Sequence, residues 1–283
     1  MKILLYVLVA LVIILLFIIF ESMREINSVK KKSYRLSFPK YKGSLRIAFI
    51  SDYHCANNGK NNKKIEELIK GEKPDMIISA GDMVIGNSDM EELKATAVDL
   101  LNNLSDIAPL YMSNGNHELK LRRYNPGVRD EYLNALSDKI IWLNNKTFDF
   151  NENITIFGFD EDDSYYSRFE RKKMDTSYLE ESFGKKPEQS NLNIMIAHDP
   201  EYFPTYADYG VDLVLSGHYH GGLVRLPLLG GVISPRFRLF PKYDYGEFIS
   251  NDSHMILTNG LGSHSIKLRL FNTPEVVIVE INK

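Results

Sequence analysis

Five short apolar runs in this sequence each end in an aspartate, an asparagine or a histidine. Apolar runs of this length, bounded by glycine and polar residues, are typical of buried strands. Because strands joined by helical crossovers bring their carboxyl ends to one edge of a sheet, we expect these polar residues to meet there. The five runs are "LRIAFISD" (45–52), "DMIISAGD" (75–82), "PLYMSNGN" (109–116), "LNIMIAH" (192–198) and "VDLVLSGHYH" (211–220).

The segments between these runs favour an α/β chain. Residues 63–70 and 88–104 place apolar side chains at helical spacing, so helices alternate with strands in the first half. Later strand patterns follow one another more closely, which predicts a sandwich of sheets flanked by helices. Residues 160–191 carry many charges and show no obvious apolar face. We interpret that stretch as a surface insertion.

The N-terminus differs in kind from the rest of the chain. Residues 3–20 are about eighteen apolar residues without a charge, enough helix to cross a hydrocarbon core of about 30 Å. No small-residue cleavage site follows, so a retained single-pass anchor in the cell membrane is the expectation. The basic residues after the helix favour a cytoplasmic domain, whereas the short, basic-led start favours an external one. Both orientations stay open.

Composition excludes several classes of function. The net charge is −3, and no long basic block is present, so no nucleic-acid-binding surface is expected. Cys55 is the one cysteine in the sequence. An intramolecular disulfide and a thiolate zinc site are therefore both excluded.

The residues at the strand ends have the chemistry of metal ligands. Taken singly, an aspartate there is more often a cap or a turn former, and a buried histidine is usually hydrogen-bonded core. Five of the seven histidines lie at these ends, however, and on extended backbone Asp52 and His54 would share a side, as would His218 and His220. Imidazole and carboxylate together favour manganese, iron or zinc. Seven such side chains fit two divalent ions that share a carboxylate, about 3.5–4 Å apart.

The order of these motifs resembles that of the calcineurin-like metallophosphoesterases. The blocks are D-x-H at 52–54, GD at 81–82, GNHE at 115–118, His198 and GHxH at 217–220, and the resemblance extends over residues 45–283. The apolar leader, "GLVRLPLLGG" and the closing "NGLGSHSIKLRLFNTPEVVIVEI" are similar to the membrane-associated bacterial branch. The resemblance implies a four-layer β-sandwich flanked by helices and preceded by one transmembrane helix.

The resemblance also implies a role for each residue. Asp52, His54 and His220 would hold the first metal ion, Asn116, His198 and His218 the second, and Asp82 would bridge them. His117 would face the substrate as a proton donor or charge stabiliser, with Glu118 orienting its surroundings. A hydroxide bridging the two ions would attack phosphorus in line.

These inferences predict three segments and a function. Residues 1–22 would be the anchor, 23–43 a basic linker with an edge strand, and 44–283 the catalytic domain. The function expected is metal-dependent hydrolysis of a phosphodiester or phosphomonoester, with a lipid or nucleotide-lipid substrate favoured by the tether. The alternatives are a membrane-anchored metal-binding scaffold without turnover, and an amide-cleaving zinc hydrolase, for which the H-E-x-x-H signature is missing.

Three arginines are weaker candidates for binding the substrate. Arg225 and Arg236 lie in an arginine- and aromatic-rich loop, and Arg269 lies in "KLRLF". Each could bind a phosphate. For Arg225 and Arg236, however, ordinary packing with solvated cations is the favoured explanation, and Arg269 is explained equally well as a surface residue.

Overall fold

A computed structural model describes residues 2–167, 172–184, 186–222, 224–226, 229–234, 239–263 and 268–283. Two six-stranded sheets form its centre. In spatial order, the first sheet contains β1 (Lys30–Leu36), β14 (Glu275–Ile281), β2 (Leu45–Ile50), β3 (Met76–Ser79), β4 (Leu110–Met112) and β5 (Ile140–Trp142). The second contains β12 (Gly246–Ser250), β13 (Ser253–Leu257), β9 (Leu213–Ser216), β8 (Leu192–Ala197), β7 (Ile154–Phe159) and β6 (Lys146–Asn151). A separate hairpin pairs β10 (Val224–Leu226) with β11 (Gly230–Ile233).

Helices cover the outer faces of both sheets. They are α2 (Asn62–Glu72), α3 (Met90–Leu93), α4 (Asp99–Ser105), α5 (Asn116–Tyr124), α6 (Pro126–Ala135), α7 (Thr176–Phe183) and α8 (Phe203–Tyr209). Helix α1 (Lys2–Ile26) does not take part, because its apolar side chains are exposed. A π-helical turn, Lys94–Val98, joins α3 to α4. The chain is therefore layered helix, sheet, sheet, helix, as the sequence predicts.

The alternation of side chains along the strands produces three apolar cores. In β2, Ile47 and Phe49 pack between the two sheets, while Ala48 and Ile50 pack against the helices on the other face. A third core lies between the second sheet and the helices α7 and α8. Because β2 is buried on both faces, its sequence is apolar throughout instead of alternating.

The parallel strands deliver their carboxyl ends to one edge. Strands β2, β3 and β4 run parallel in the first sheet, and β8 and β9 run parallel in the second. The backbone pairing continues past the strand ends: Asp52 N–H donates to Gly81 O and His54 N–H donates to Asp82 O, both at 3.0 Å. These bonds fix the loop after β2 against the loop after β3, and we call this side of the molecule the ligand edge.

The interpretation of residues 160–191 as a surface insertion is wrong. Glu161 is buried, and Leu179 of α7 packs into the third core. Met174, Tyr178 and Phe183 line the same side of this segment. The apolar residues recur at helical spacing, but charged residues between them hide the pattern in the sequence.

The residues expected to form a basic linker are mostly structured. Helix α1 continues to Ile26, and β1 is an edge strand parallel to β14. Its basic side chains lie against carboxylates of the domain: Lys31 Nζ is 2.7 Å from Glu72 Oε1, and Arg35 Nε is 3.0 Å from Glu280 Oε2. The segment therefore belongs to the domain's own surface.

Truncation of Ile78, at the centre of the packing between the sheets, tests this layering. Because Ile78 is fully buried, we expect Ile78→Ala to lower the free energy of unfolding by about 2–5 kcal/mol in urea denaturation. The matched control is Ile249→Ala, whose side chain is 66% exposed, with an expected change within about 0.5 kcal/mol. Equal losses from the two variants would contradict the assignment of the core.

Candidate metal centre

The ligand-type residues lie on strained backbone. Asp52, His54, Asp82, His218 and His220 have φ between 48° and 71°, in the left-handed region. The expectation of extended backbone at 52–54 and 218–220 is therefore wrong, because the chain turns sharply as it leaves each strand. Left-handed conformations of non-glycine residues cost about 1–3 kcal/mol each and persist only where surrounding contacts enforce them.

The turns bring the side chains into three overlapping groups. The ligand atoms within each group lie within 4.8 Å of one another. His218 and His220, two residues apart in the chain, fall into different groups. The groups are Asp52 with His54 and His220, His54 with Asp82 and His117, and Asp82 with His198 and His218.

The separations suit a common cation. His54 Nε2 lies 3.3 Å from His220 Nε2, and His220 Nε2 lies 3.4 Å from Asp52 Oδ1. His198 Nε2 lies 3.2 Å from Asp82 Oδ2. Donor atoms about 2.1 Å from one ion in tetrahedral geometry are about 3.4 Å apart. The donor set of imidazoles and carboxylates therefore fits a divalent metal ion of the kind expected.

The hydrogen bonds of two histidines turn a lone pair towards this centre. His198 Nδ1 is 2.7 Å from Ala80 O, and His54 Nδ1 is 3.3 Å from Val84 O. A carbonyl oxygen only accepts, so each Nδ1 carries the hydrogen and donates it. The Nε2 atom of each neutral ring is then the one able to bind a metal.

His117 has the opposite arrangement. Gly86 N–H donates to His117 Nδ1 at 3.0 Å, so the lone pair is on Nδ1 and the ring proton is on Nε2. Its own backbone N–H donates to Asp82 Oδ1 at 2.7 Å. The ring of His117 stands edge-on to that of His54, with centroids 4.8 Å apart. His117 therefore presents a hydrogen-bond donor beside groups that present lone pairs.

Asn116 opens helix α5 directly before His117. Its side chain is buried, and within the described ranges its Oδ1 atom has no hydrogen-bond partner. A buried amide oxygen without a partner is costly unless another ligand satisfies it. Asn116 thus has an oxygen that a cation could use.

The buried charges influence one another strongly. Burial acts to raise the pKa of Asp82, but His198, His117 and His54 outweigh it and hold the pKa well below its usual range. Burial raises the pKa of Asp52. Burial alone would lower the pKa of His198, but Asp82 and Asp52 raise it to about 10. The two carboxylates thus attract positive charge to His198 Nε2. A metal ion that bound this nitrogen would replace its proton.

Glu118 holds the turn that carries Asp82. Its Oε2 atom accepts from the backbone N–H groups of Asp82 at 2.8 Å and Gly115 at 2.9 Å, and Oε1 accepts from Met83 N–H at 2.8 Å. Burial and repulsion from Asp82 raise the pKa of Glu118 to about 7, while these donors act in the opposite direction. Glu118 therefore ties the loop after β3 to the start of α5.

Two glycines make room for the carboxylates. A Cβ atom on Gly217 would collide with Asp52 Oδ2, and one on Gly115 would collide with Asp82 Oδ1. At Gly217 the backbone passes so close that the next N–H, of His218, donates to both Asp52 oxygens, at 2.9 and 3.0 Å. Only glycine fits these two positions without moving a ligand-type side chain.

The three arginines predicted to contact the substrate have different surroundings. Arg225 Nη1 pairs with Asp244 Oδ2 at 3.0 Å, and its guanidinium stacks 4.8 Å from the Tyr245 ring. Arg236 lies outside the described residues. Arg269 is buried, and its guanidinium donates to the carbonyl oxygens of Asn259, Gly260, Gly262 and Asn272. For Arg269 a structural role therefore replaces the predicted phosphate contact.

The sequence interpretation missed Glu161 and Tyr166, which border the centre. Tyr166 stands edge-on to His218, with centroids 5.3 Å apart, and its hydroxyl donates to Glu161 Oε2 at 2.5 Å. Glu161 Oε1 accepts from Asp199 N–H at 3.1 Å and from the Tyr206 hydroxyl at 2.8 Å. Both residues lie in the segment taken for a surface insertion. Close to Glu161, the aromatic pair at 165–166 is the local signal of burial in the sequence.

Comparison with known proteins points to one family. The family model for the calcineurin-like phosphoesterases matches residues 45–222, more than half of the chain. Bacillus subtilis YpbG is 28% identical over 261 residues, 90% of this chain and 88% of that protein. Escherichia coli phosphodiesterase YaeI is 28% identical over 254 residues, 88% and 86% of the two chains. The B. subtilis metallophosphoesterase YkuE is 25% identical over 240 residues, 82% and 75%.

Replacement of Glu118 by glutamine tests its hold on the turn. The amide nitrogen of the glutamine donates a hydrogen bond and cannot accept one. At least one backbone N–H group that Glu118 now binds would therefore lose its acceptor. We expect Glu118→Gln to lower the free energy of unfolding by about 1–3 kcal/mol. We also expect manganese affinity, measured by calorimetry, to fall by about 10–100-fold. The matched control is Glu131→Gln, at an exposed position of α6, which should change neither quantity.

The pH dependence of stability tests the environment of Glu161. Burial and repulsion from Asp199 raise its pKa from 4.5 to about 7. The folded chain therefore holds this proton more tightly than the unfolded chain. The contribution of protonated Glu161 to the free energy of unfolding is complete below about pH 4.5. It is lost as pH rises towards 7, at up to about 1.4 kcal/mol per pH unit.

With a chelator present, urea denaturation of Glu161→Gln should show a flatter dependence in this pH window. Glutamine mimics the protonated acid and does not titrate. Glu180→Gln, on the exposed side of α7, should keep the wild-type slope. An unchanged slope in Glu161→Gln would show that Glu161 does not titrate in this window.

Proposed function

Because this chain belongs to the calcineurin-like phosphoesterase family, it is a metal-dependent hydrolase of phosphoric ester bonds, and we propose how its own residues divide the work. The first ion would be held by Asp52, His54 and His220, the second by Asn116, His198 and His218, with Asp82 shared between them. The hydrogen bonds of the imidazoles carry this proposal. His54 and His198 donate from Nδ1 to carbonyls, whereas His117 accepts at Nδ1.

The two ions would be manganese, iron or zinc, the metals that imidazole and carboxylate donors favour. When bound, they would neutralise the charge of the phosphate and lower the pKa of a water between them. Two divalent ions would bring four positive charges, and Asp52 and Asp82 supply two negative ones. The pocket with both ions bound would therefore attract an anion such as a phosphate.

His117 would act on the leaving group. Its Nε2–H is directed away from the Gly86 amide, and its backbone is held by Asp82. A proton placed there can pass to the ester oxygen as the bond to phosphorus breaks. The same hydrogen bond would stabilise negative charge on the phosphoryl oxygens in the transition state.

The membrane part of the proposal is supported by α1. Among the described helices, α1 alone is long and apolar enough to cross a bilayer, and none of its most apolar stretch is buried in the protein. We infer that α1 is a single-pass anchor and that the substrate is a phosphoester of a lipid or nucleotide-lipid. The name of the relative YaeI, a phosphodiesterase, favours a diester.

Hydrolysis of bis-nitrophenyl phosphate by the detergent-solubilised full chain tests this mechanism. We expect no turnover after chelation and full recovery with added manganese. His117→Ala should keep its metal content but lose about 10²–10⁴-fold in kcat on an alkyl ester, because that leaving group needs a proton. The loss on the nitrophenyl ester should be much smaller.

The control variant is His254→Ala, which lies outside the centre and pairs with Glu247. It should keep both activities. If His117→Ala loses the same factor on alkyl and nitrophenyl esters, His117 is not the proton donor. Hydrolysis that survives chelation would contradict the assignment of the metal ligands.

A further inference from the structure

The end of α1 is built into the domain. Ser22 Oγ accepts from Arg269 N–H at 3.1 Å, and Glu25 Oε2 accepts from Asn272 N–H at 3.1 Å. The Glu25 side chain is only 3% exposed. A helix held by two buried hydrogen bonds cannot swing freely, so the direction of α1 sets the orientation of the whole domain.

Helix α1 joins the domain at the ligand edge. Strand β1 begins at Lys30, opposite Glu275 at the start of β14. Strand β14 runs antiparallel to β2, with Val277 opposite Phe49, so the start of β14 lies beside the end of β2. Asp52 follows that end by two residues. The anchor and the candidate metal centre therefore lie on the same side of the molecule.

Hydrogen bonds connect α1 to the metal-ligand loop. Asn272, whose backbone N–H is held by Glu25, donates from Nδ2 to the carbonyl oxygen of His220 at 2.5 Å. Asn259 Nδ2 in turn donates to Asn272 Oδ1 at 2.8 Å. One residue thus separates the base of the anchor from the loop that carries two of the histidines.

Exposed apolar side chains lie on the segments next to this junction. Phe271 lies between the two residues that α1 binds and is 43% exposed. The hairpin β10–β11 follows the histidine loop, and a Cβ atom on its Gly231 would lie 2.9 Å from Gly221 O. Leu229 at its turn is 62% exposed, and beside β11 Leu239 and Phe240 are 66% and 63% exposed. We call Leu229, Leu239, Phe240 and Phe271 the apolar rim.

We propose that the apolar rim rests in the surface of the bilayer that α1 crosses, so that the ligand edge faces the lipid headgroups. The proposal builds on the membrane anchor inferred above. Large apolar side chains exposed together are unfavourable in water and favourable at the boundary of headgroups and acyl chains. The substrate would then be a phosphoester whose phosphate lies at headgroup level, reached without leaving the membrane.

Tryptophan quenching by lipids brominated near the top of the acyl chains tests the position of the rim. Trp142 is the one tryptophan of the sequence, so a Trp142→Phe background makes each new tryptophan a unique reporter. The full-length chain, reconstituted in phosphatidylcholine vesicles, would carry Phe240→Trp or Phe271→Trp. We expect brominated lipid to reduce emission by about twofold or more, since interfacial side chains reach about 5–10 Å into the boundary.

Ile249→Trp is the matched control for exposure. Ile249 is 66% exposed and pairs with His254, towards the start of β13. Strand β13 runs parallel to β9 and reaches the ligand edge only at Leu257, so Ile249 lies towards the opposite edge. Its emission should be unchanged. Quenching equal to that at position 240 would overturn the proposal, because contact with lipid would then not be specific to the rim.

Phe17→Trp, within α1, separates failure of this proposal from failure of the anchor. Quenching at 17 without quenching at 240 or 271 would overturn the position of the rim and leave the anchor intact. Absence of quenching at 17 would overturn both. Chelated protein should give the same pattern as metal-loaded protein, so the readout is independent of activity.

The hydrogen bonds at the base of α1 can be tested in the same assay. The double variant Ser22→Ala and Glu25→Ala removes both side-chain hydrogen bonds between the helix and residues 269–272. We expect quenching to fall by about half or more at position 240 and to persist at position 17, since only the contact of the rim with the boundary is weakened. Unchanged quenching at both positions would show that these two bonds do not orient the domain.

Discussion

The carboxylate of Asp82 is the point on which the centre depends, because it is held from several directions at once. Glu118 binds the backbone N–H of Asp82, and the N–H of His117 binds Oδ1. His198 approaches Oδ2 from the second sheet. A side chain fixed by two loops and two sheets can serve two clusters of ligands, and none of the strands could place it alone.

The strained backbone at the candidate metal centre depends on the rigid contacts around it. Five ligand-type residues adopt left-handed backbone, an arrangement that an isolated loop would relax. Backbone bonds between the loops after β2 and β3 and the three bonds of Glu118 oppose that relaxation. The absence of side chains at Gly115 and Gly217 leaves room for the carboxylates. The buried apolar cores on the faces of the two sheets supply the stability that offsets this local strain.

The connection of α1 to Asn272 gives the N-terminal helix a part in this support. The same asparagine donates its backbone N–H to the Glu25 carboxylate of α1 and its side-chain amide to the carbonyl oxygen of His220. Arg269 fastens the surrounding loop by donating to four carbonyl oxygens, which explains why a buried arginine is retained there. Arg269, which the sequence suggests is a surface cation, is therefore a buried residue that stabilises the loop beside the site.

The sequence by itself determined the layered architecture and the identity of the ligand-type residues, because apolar runs and the residues that end them are local patterns. It also indicated the apolar helix at the N-terminus. Only the tertiary structure decided that His218 and His220 face different clusters, that Glu161 and Tyr166 border the centre, and that Arg269 points into the protein. Those outcomes depend on left-handed turns and on contacts between residues far apart in the chain, and no local period of the sequence encodes them.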